Sequence, residues 1–279
     1  MNYIDAHVHV WTDDYQRFPV AEEHTQGSAV PLAFLPEDIL GEANPCGVDR
    51  VVLVQSQCYE TDNSYMLHVM EEHQGVFAGI GIIDSTVSEP DLEMVRLKEQ
   101  GVRGFRVYQG QPAHSWLDGP GFERMFRAGA EHELAICPLI DPEALPALGR
   151  QCARFPETPV IIDHLAHIGV DGEFRADDVS SLCALARFPR VMVKVSAFYA
   201  FGGKQPPYED LGPLIRQVVD SFGAERLMWA SDCPYQVAGQ HTYEDSVSLI
   251  NERLDFLSDS DRDQILRGTA EQFFFAPRS

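Results

Sequence analysis

The chain is short of several things, and each shortage narrows what it can be. Its six cysteines, Cys46, Cys58, Cys137, Cys152, Cys183 and Cys233, include no Cys-x-x-Cys pair. Neither a zinc knuckle nor a disulfide framework is therefore expected, and most should be buried thiols. Basic residues are few, 21 against 43 acidic ones, for a formal net charge of −22. That balance argues against nucleic acid or an anionic membrane surface as partner, and an anionic substrate would need locally placed basic groups. No uninterrupted apolar run approaches membrane-spanning length, and a strand beginning at residue 3 leaves no room for a secretory segment, so a cytoplasmic protein is expected. No composition break or low-complexity linker divides the chain, which predicts one domain over residues 1–279.

What is present begins at Tyr3-Ile4-Asp5-Ala6-His7-Val8-His9-Val10. Alternation predicts a strand with Ile4, Ala6, Val8 and Val10 on one face and Asp5, His7 and His9 on the other. Two imidazoles two residues apart on a strand otherwise built of β-branched residues suit metal binding or proton transfer. With 279 residues, 44% of them hydrophobic, the chain can bury a large core.

Further strands are expected over 50–55, 76–83, 102–108, 134–140, 160–165, 191–198 and 226–232. The segment 11–49, with Pro19, Pro31, Pro36 and Pro45, reads as a loop with at most a short helix over 36–42. Asp62 can cap a helix running through Tyr65, Met66, Val69 and Met70, and Ser88 with Pro90 opens another carrying Leu92, Val95 and Leu97. Helices are also expected over 122–132, 142–155, 179–188, 211–222, 245–256 and 261–274. Eight strands alternating with helices imply parallel pairing, and at this length a closed (β/α)8 TIM barrel of the α/β class. No Gly-x-Gly-x-x-Gly follows the first strand, which counts against a doubly wound sheet.

In such a barrel chemistry sits where strands end. Polar groups gather there: His7 and His9 on the first strand, Arg106 and Tyr108 on the fourth, His164 on the sixth, Lys194 and Ser196 on the seventh, Asp232 on the eighth. Charged groups in apolar strands are costly unless paired or functional. Plainer roles exist for each. Lys194 and Arg106 could be ion-pair partners of Asp163 or Asp5, Asp232 a turn residue, and His164 a satisfied core histidine. His24, His68, His73, His132 and His241 are expected to be solvated, and His114 is a weaker substrate-contact candidate.

Six segments together resemble one family: Asp5-Ala-His-Val-His9, Val54-Gln-Ser with Thr61-Asp-Asn63, Gly101-Val-Arg-Gly-Phe-Arg106, Ile162-Asp-His-Leu165, Val193-Lys-Val-Ser196 and Arg226-Leu-Met-Trp-Ala-Ser-Asp-Cys-Pro234. They are similar to the amidohydrolase superfamily, in the amidohydrolase-related branch that contains 2-pyrone-4,6-dicarboxylate lactonase and the sugar-acid lactonases. The resemblance implies a centre of His7, His9 and Asp232 with His164 beside it. The chain departs from metal-bearing relatives on its fifth strand, which has no histidine, and on its fourth, which has no lysine or glutamate to bridge two metals. One divalent, zinc-like ion on His7, His9, Asp232 and His164, or none, are the alternatives that remain. His167 stands where relatives often carry arginine.

The implied activity is hydrolysis of a lactone or similar cyclic ester of a small organic or sugar acid. Asp232 would be the general base, with His7, His9 and His164 polarising the carbonyl. Arg106, Tyr108, Lys194, Ser196, His167 and Tyr199 would orient a small, carboxylated substrate. Two other readings are open: a metal-dependent non-oxidative decarboxylase of an aromatic or muconate-type acid, and a non-catalytic barrel that binds a small acid. Specificity is expected in the loops 11–49, 109–121, 199–208 and 234–243, whose aromatics (Trp11, Phe18, Trp116, Tyr199, Phe201, Tyr208, Tyr235) suit a partly apolar or ring-shaped ligand. The pattern sets no oligomeric state.

Overall fold

In the computed structural model, which describes residues 2–276, eight strands run in sequence order around one sheet. They are β1 (Tyr3–Val8), β2 (Val48–Val54), β3 (Phe77–Gly81), β4 (Val102–Tyr108), β5 (Ala135–Leu139), β6 (Val160–Ile162), β7 (Val191–Ser196) and β8 (Leu227–Ala230). Each neighbouring pair is parallel. The ring closes just beyond β8, where Val8 bridges Cys233, the His9 N–H donates to the Cys233 carbonyl (2.8 Å) and the Asp232 N–H to that of His7 (2.9 Å). The result is the expected (β/α)8 barrel.

The helices between strands follow from local sequence. α1 (Pro36–Ala43), α3 (Pro90–Glu99) and α4 (Pro120–His132) each start on a proline, whose fixed φ suits a first turn. α2 (Ser64–Glu72) follows Asn63 rather than the expected Asp62. The Asn63 side chain instead clamps both the N–H and the carbonyl of Ile82, at 3.0 and 2.8 Å, while Asp62 accepts from the Ser64 N–H. α5 (Leu145–Arg154), α6 (Ala176–Cys183), α7 (Gly212–Phe222), α8 (Tyr243–Ser248) and α9 (Asp259–Asp263) complete the ring. α4 buries Met125, Phe126, Ala128 and Gly129 along one stripe, as an outer-ring helix must.

Strand alternation sorts the apolar residues into two cores. Val51, Leu53, Phe105, Val107, Val193, Val195 and Trp229 point outward and pack under the helices. Val52, Val54, Ile80, Ala135, Ile161, Met228 and Ala230 fill the barrel, plugged at its base by Phe273 and Phe274.

The strict alternation expected of β1 does not hold. Asp5 pairs with Val51 and Val8 with Leu53, so three steps along β1 match two along β2. That extra residue is a bulge, and it reverses which face later residues use. Ile4 and Ala6 therefore lie inside the barrel and Val8 outside. Asp5, expected beside His7 and His9, instead accepts from Tyr243 Oη (2.8 Å) and from the Ser231 (2.9 Å) and His7 (3.1 Å) amides. Burial there pushes its carboxyl up to about 6.

Candidate active site

The bulge turns both β1 imidazoles toward the C-terminal mouth. Two further strand ends do the same by local strain. β6 stops at Ile162, shorter than expected, and His164, Leu165, Ala166 and His167 all take left-handed backbone angles, with φ between 49° and 56°. β8 stops at Ala230, and Asp232 is left-handed too, at φ 66°. Left-handed non-glycine residues cost roughly 1–2 kcal/mol each and gather at functional sites. Here the strain turns His164 and Asp232 inward, toward the histidines of β1.

Beneath the mouth lies a buried charge lattice. Asp163, fully buried, is held by Arg106 Nη2 at 3.1 Å and by Lys194 Nζ at 2.9 Å. Burial alone would raise its carboxyl, but the two cations, Lys194 first, hold it well below the usual carboxylate range. His7 sits between the same two cations, with Arg106 Nη2 2.9 Å from its Nε2 and Lys194 Nζ 3.1 Å from its Nδ1. A guanidinium only donates, so Nε2 accepts from Arg106, while Nδ1 faces both the Lys194 ammonium and, at 3.4 Å, Asp163 Oδ1. Burial and the neighbouring cations keep this imidazole neutral, far below its ordinary pKa.

His9 Nδ1 donates to the Val54 carbonyl at 2.9 Å, which leaves its Nε2 lone pair facing the centre. His164 pairs Nδ1 with Ser196 Oγ at 2.9 Å, and burial lowers it to about 4. Asp232 closes the group. Its Oδ1 lies 3.4 Å from His9 Nε2, 3.5 Å from His7 Nε2 and 3.7 Å from His164 Nε2. Its Oδ2 accepts from Tyr199 Oη at 2.6 Å. Burial works to raise the Asp232 carboxyl, and the facing histidines, His164 first, outweigh it and keep the group ionised.

His7 Nε2 and His9 Nε2, 3.2 Å apart, thus converge with a carboxylate oxygen that is buried and meets no hydrogen-bond donor among the described residues. His7, His9 and Asp232 can each offer one ligand atom, all within 4.8 Å of one another. Two ring nitrogens and a carboxylate oxygen packed this closely fit one divalent cation, for which His7 Nε2 would exchange the Arg106 N–H. Second-sphere partners are also in place, Val54 behind His9 and Asp163 behind His7.

Above this centre opens a cavity of about 450 Å³, lined by His9, Arg106, Tyr108, His164, His167, Tyr199 and Asp232 from the expected set. Trp11, Tyr235, Ser56, Gln57 and Cys58 line it as well. Lys194 and Ser196, expected to orient the substrate, are fully buried and lie outside this lining. They lie below the centre, Lys194 on Asp163 and His7, Ser196 on His164, and position its residues. Of the expected loop aromatics Trp11, Tyr199 and Tyr235 face the cavity, whereas Phe18, Trp116, Phe201 and Tyr208 are buried away from its lining. His114 is exposed and does not line it either, while His24 does. Asp141 escaped the sequence-based candidate set, and Asp163 was named there only as an ion-pair partner for Lys194 and Arg106, a part it plays here. The only available signal for Asp141 was an acidic residue closing a strand.

A closed parallel barrel with a histidine–aspartate centre at its C-terminal mouth defines the class of barrel enzymes that activate water against a polarised bond. The chain belongs to the amidohydrolase family, whose sequence model matches residues 4–276. It is 31% identical over 245 residues to an L-fucono-1,5-lactonase of Burkholderia ambifaria, a match covering 85% of this chain and 82% of that one. It is 29% identical over 232 residues to a 4-sulfomuconolactone hydrolase of Rhizobium radiobacter, covering 83% and 75%. A crystal structure of an amidohydrolase from Burkholderia multivorans, solved with bound zinc, superposes with a TM-score of 0.81 at 21% identity, over 99% of this chain and 100% of that one. None of the helices of the described residues is long and apolar enough to cross a membrane.

Proposed function

We propose that the protein hydrolyses a lactone of a small organic or sugar acid at the mouth of the barrel. The observation that carries this is Asp232. It is an ionised, buried carboxylate in the lining of the cavity with His9 and His164, one oxygen held by Tyr199 and the other facing the histidine Nε2 atoms without a donor among the described residues. Such a group is set to take a proton from water. The family's lactone-hydrolysing relatives support the bond type.

In this mechanism Asp232 removes a proton from a water seated against His9 and His164, and that water attacks the lactone carbonyl. Arg106, ion-paired to Asp163 and exposed on one side to the cavity, stabilises the developing oxyanion. Tyr108 and Tyr199 hold the ring in place. A divalent ion held by His7, His9 and Asp232, with His164 alongside, would supply Lewis acidity and acidify a bound water.

Charge bears on the substrate. Arg106 and Lys194 share the carboxylate of Asp163, the ionised Asp232 supplies the second negative charge that balances them, and His167 pairs with Asp141 at 2.8 Å. The lining therefore favours an uncharged lactone over the carboxylated one that the sequence pointed to. The six cysteines are free thiols, which supports the reducing cytoplasm as its location.

The test is acid release in a weakly buffered indicator assay across neutral sugar lactones, simple alkyl lactones and carboxylated lactones, with Asp232→Asn alongside. Release by the native protein, lost in the variant, is expected, and the neutral lactones should be preferred. Release undiminished in Asp232→Asn would refute the base, and silence of the native protein across the panel would refute the lactonase.

A further inference from the structure

We infer that Asp5, buried outside the cavity lining, is a positioning residue that holds His7 and Asp232 in register across the closure of the barrel. The geometry stands by itself, and the consequence for turnover rests on the lactonase reading above.

β1 and β8 are joined at the point where both stop being regular. β1 carries its bulge between Asp5 and Val8, and β8 ends at Ala230, two residues before the left-handed Asp232. Asp5 Oδ1 spans this junction. It accepts from the His7 amide at 3.1 Å on its own strand and from the Ser231 amide at 2.9 Å on the other side. Its second oxygen accepts from Tyr243 Oη at 2.8 Å, so α8 fixes the carboxylate from a third direction. Asp5, His7 and Ser231 are completely buried and Tyr243 almost so. Buried amides require acceptors, and here one side-chain oxygen serves two of them, one on each side of the closure.

These bonds land on the residues of the centre. His7 is one of them, and Ser231 directly precedes Asp232. Three successive amides around Asp232 are thereby tied down: Ser231 N–H to Asp5, Asp232 N–H to the His7 carbonyl at 2.9 Å, and Cys233 N–H to Ser231 Oγ at 3.0 Å. A non-glycine residue keeps a left-handed backbone only where its surroundings over-determine it. Among the described residues, Asp5 is the one side chain that binds both the His7 backbone and the turn bearing Asp232.

Tyr199, Arg106 and Lys194 act on the tips of the same two side chains. Asp5 acts on the backbone that carries them, and so maintains the 3.5 Å between His7 Nε2 and Asp232 Oδ1. Its anchor is held in turn. The Tyr243 ring stands edge-on to Trp229 of β8, with centroids 5.7 Å apart, and Thr242 caps α8 by accepting from the Asp245 N–H at 3.0 Å.

The experiment separates positioning from stability. Asp5→Asn keeps an oxygen for both amides, and the Tyr243 hydroxyl can turn to accept from its NH2 group. Asp5→Ala leaves Oδ1 unreplaced. Tyr243→Phe releases only the second oxygen and answers the question should Asp5→Ala not fold. Gly121→Ala, whose added Cβ would run into the Ser85 carbonyl outside the cavity lining, is the destabilised control. Two readouts are taken. One is kcat and KM on whichever of δ-gluconolactone and δ-valerolactone the native protein opens faster. The other is the imidazole nitrogen NMR shifts of His7 in histidine-labelled protein, which report its contacts with Arg106 and Lys194 without any substrate.

Asp5→Ala should lower kcat on the order of 100-fold with KM little changed, the scale expected when a reacting group moves by about 1 Å. It should also shift the His7 signals. Tyr243→Phe should move both readouts in the same direction by less. Asp5→Asn and Gly121→Ala should keep kcat per folded molecule and the His7 signals near native. The assignment would be overturned by native His7 signals in Asp5→Ala, or in Tyr243→Phe if Asp5→Ala does not fold. An Asp5→Asn protein as impaired as Asp5→Ala, or an equal loss of kcat in Gly121→Ala, would also overturn it. A native protein silent on both lactones and on the other neutral sugar lactones would instead overturn the lactonase reading, and the His7 signals would still decide the role of Asp5.

Discussion

Tyr199 Oη donates to Asp232 Oδ2 at 2.6 Å, and this bond leaves Oδ1 as the carboxylate oxygen without a donor among the described residues. Burial, followed by the Asp232 charge, raises the Tyr199 phenol far above its ordinary pKa, so it stays a donor throughout the working pH range. Tyr199→Phe removes a hydrogen bond to a charged group, worth roughly 1.5–3 kcal/mol, and lets the carboxylate rotate. The expected result is a fall in kcat of about tenfold or more, together with a Tm lowered by several degrees. An unaltered kcat would show that Asp232 is oriented by something else.

The convergence of His7, His9 and Asp232 makes a second prediction, read without any activity assay. Zinc in hundredfold excess over its Kd should stabilise the native fold by about 2.7 kcal/mol, a shift of several degrees in Tm. His9→Ala should abolish the shift, because His9 alone of the two β1 histidines keeps an Nε2 lone pair unshared with Arg106. Thermal melts with and without added zinc, and metal content after desalting, measure it. A native Tm that ignores zinc would remove the ion from the site.

The Asp163 lattice sets acid stability. Its folded pKa lies well below the unfolded value near 3.9, so its contribution is full above that value and is lost as pH falls through and below it. Asp163→Asn leaves Lys194 and Arg106 buried without their counter-ion and should cost about 3–5 kcal/mol at pH 7. The gap between native and variant should narrow toward pH 3. Denaturant melts across this range test it, and a gap that stays constant with pH would contradict the assignment.

These residues also mark what a linear chain reveals. The barrel was legible because eight apolar strands alternate with helical stretches, and Lys194 and Ser196 could be assigned to the inner face because three valines oppose them on β7. Their depth was not legible, since alternation gives a side and not a distance from the mouth. The β1 bulge was hidden for a related reason. Residue counting cannot see that three steps on one strand match two on its neighbour, and so Asp5 was put with the histidines. The turn at 164–167 has no glycine or asparagine to announce left-handed backbone, so the approach of His167 to Asp141 had no local signal.

Packing outside the site gives a last prediction of opposite signs at two glycines. Gly121, in the first turn of α4, lies so close to the β3–α3 loop that an added Cβ would come 1.7 Å from the Ser85 carbonyl oxygen. That oxygen belongs to backbone, so helix or loop must move, and Gly121→Ala should destabilise by about 1–3 kcal/mol. Gly41, in the middle of α1, has nothing within 4 Å of the same position. Gly41→Ala gains helix propensity without a clash and should stabilise by roughly 0.5–1 kcal/mol. Neither residue lines the cavity, so activity per folded molecule should hold in both. Denaturation midpoints decide the matter: a Gly121→Ala protein as stable as the native one would mean that α4 does not seat against the Ser85 loop as closely as the structure has it.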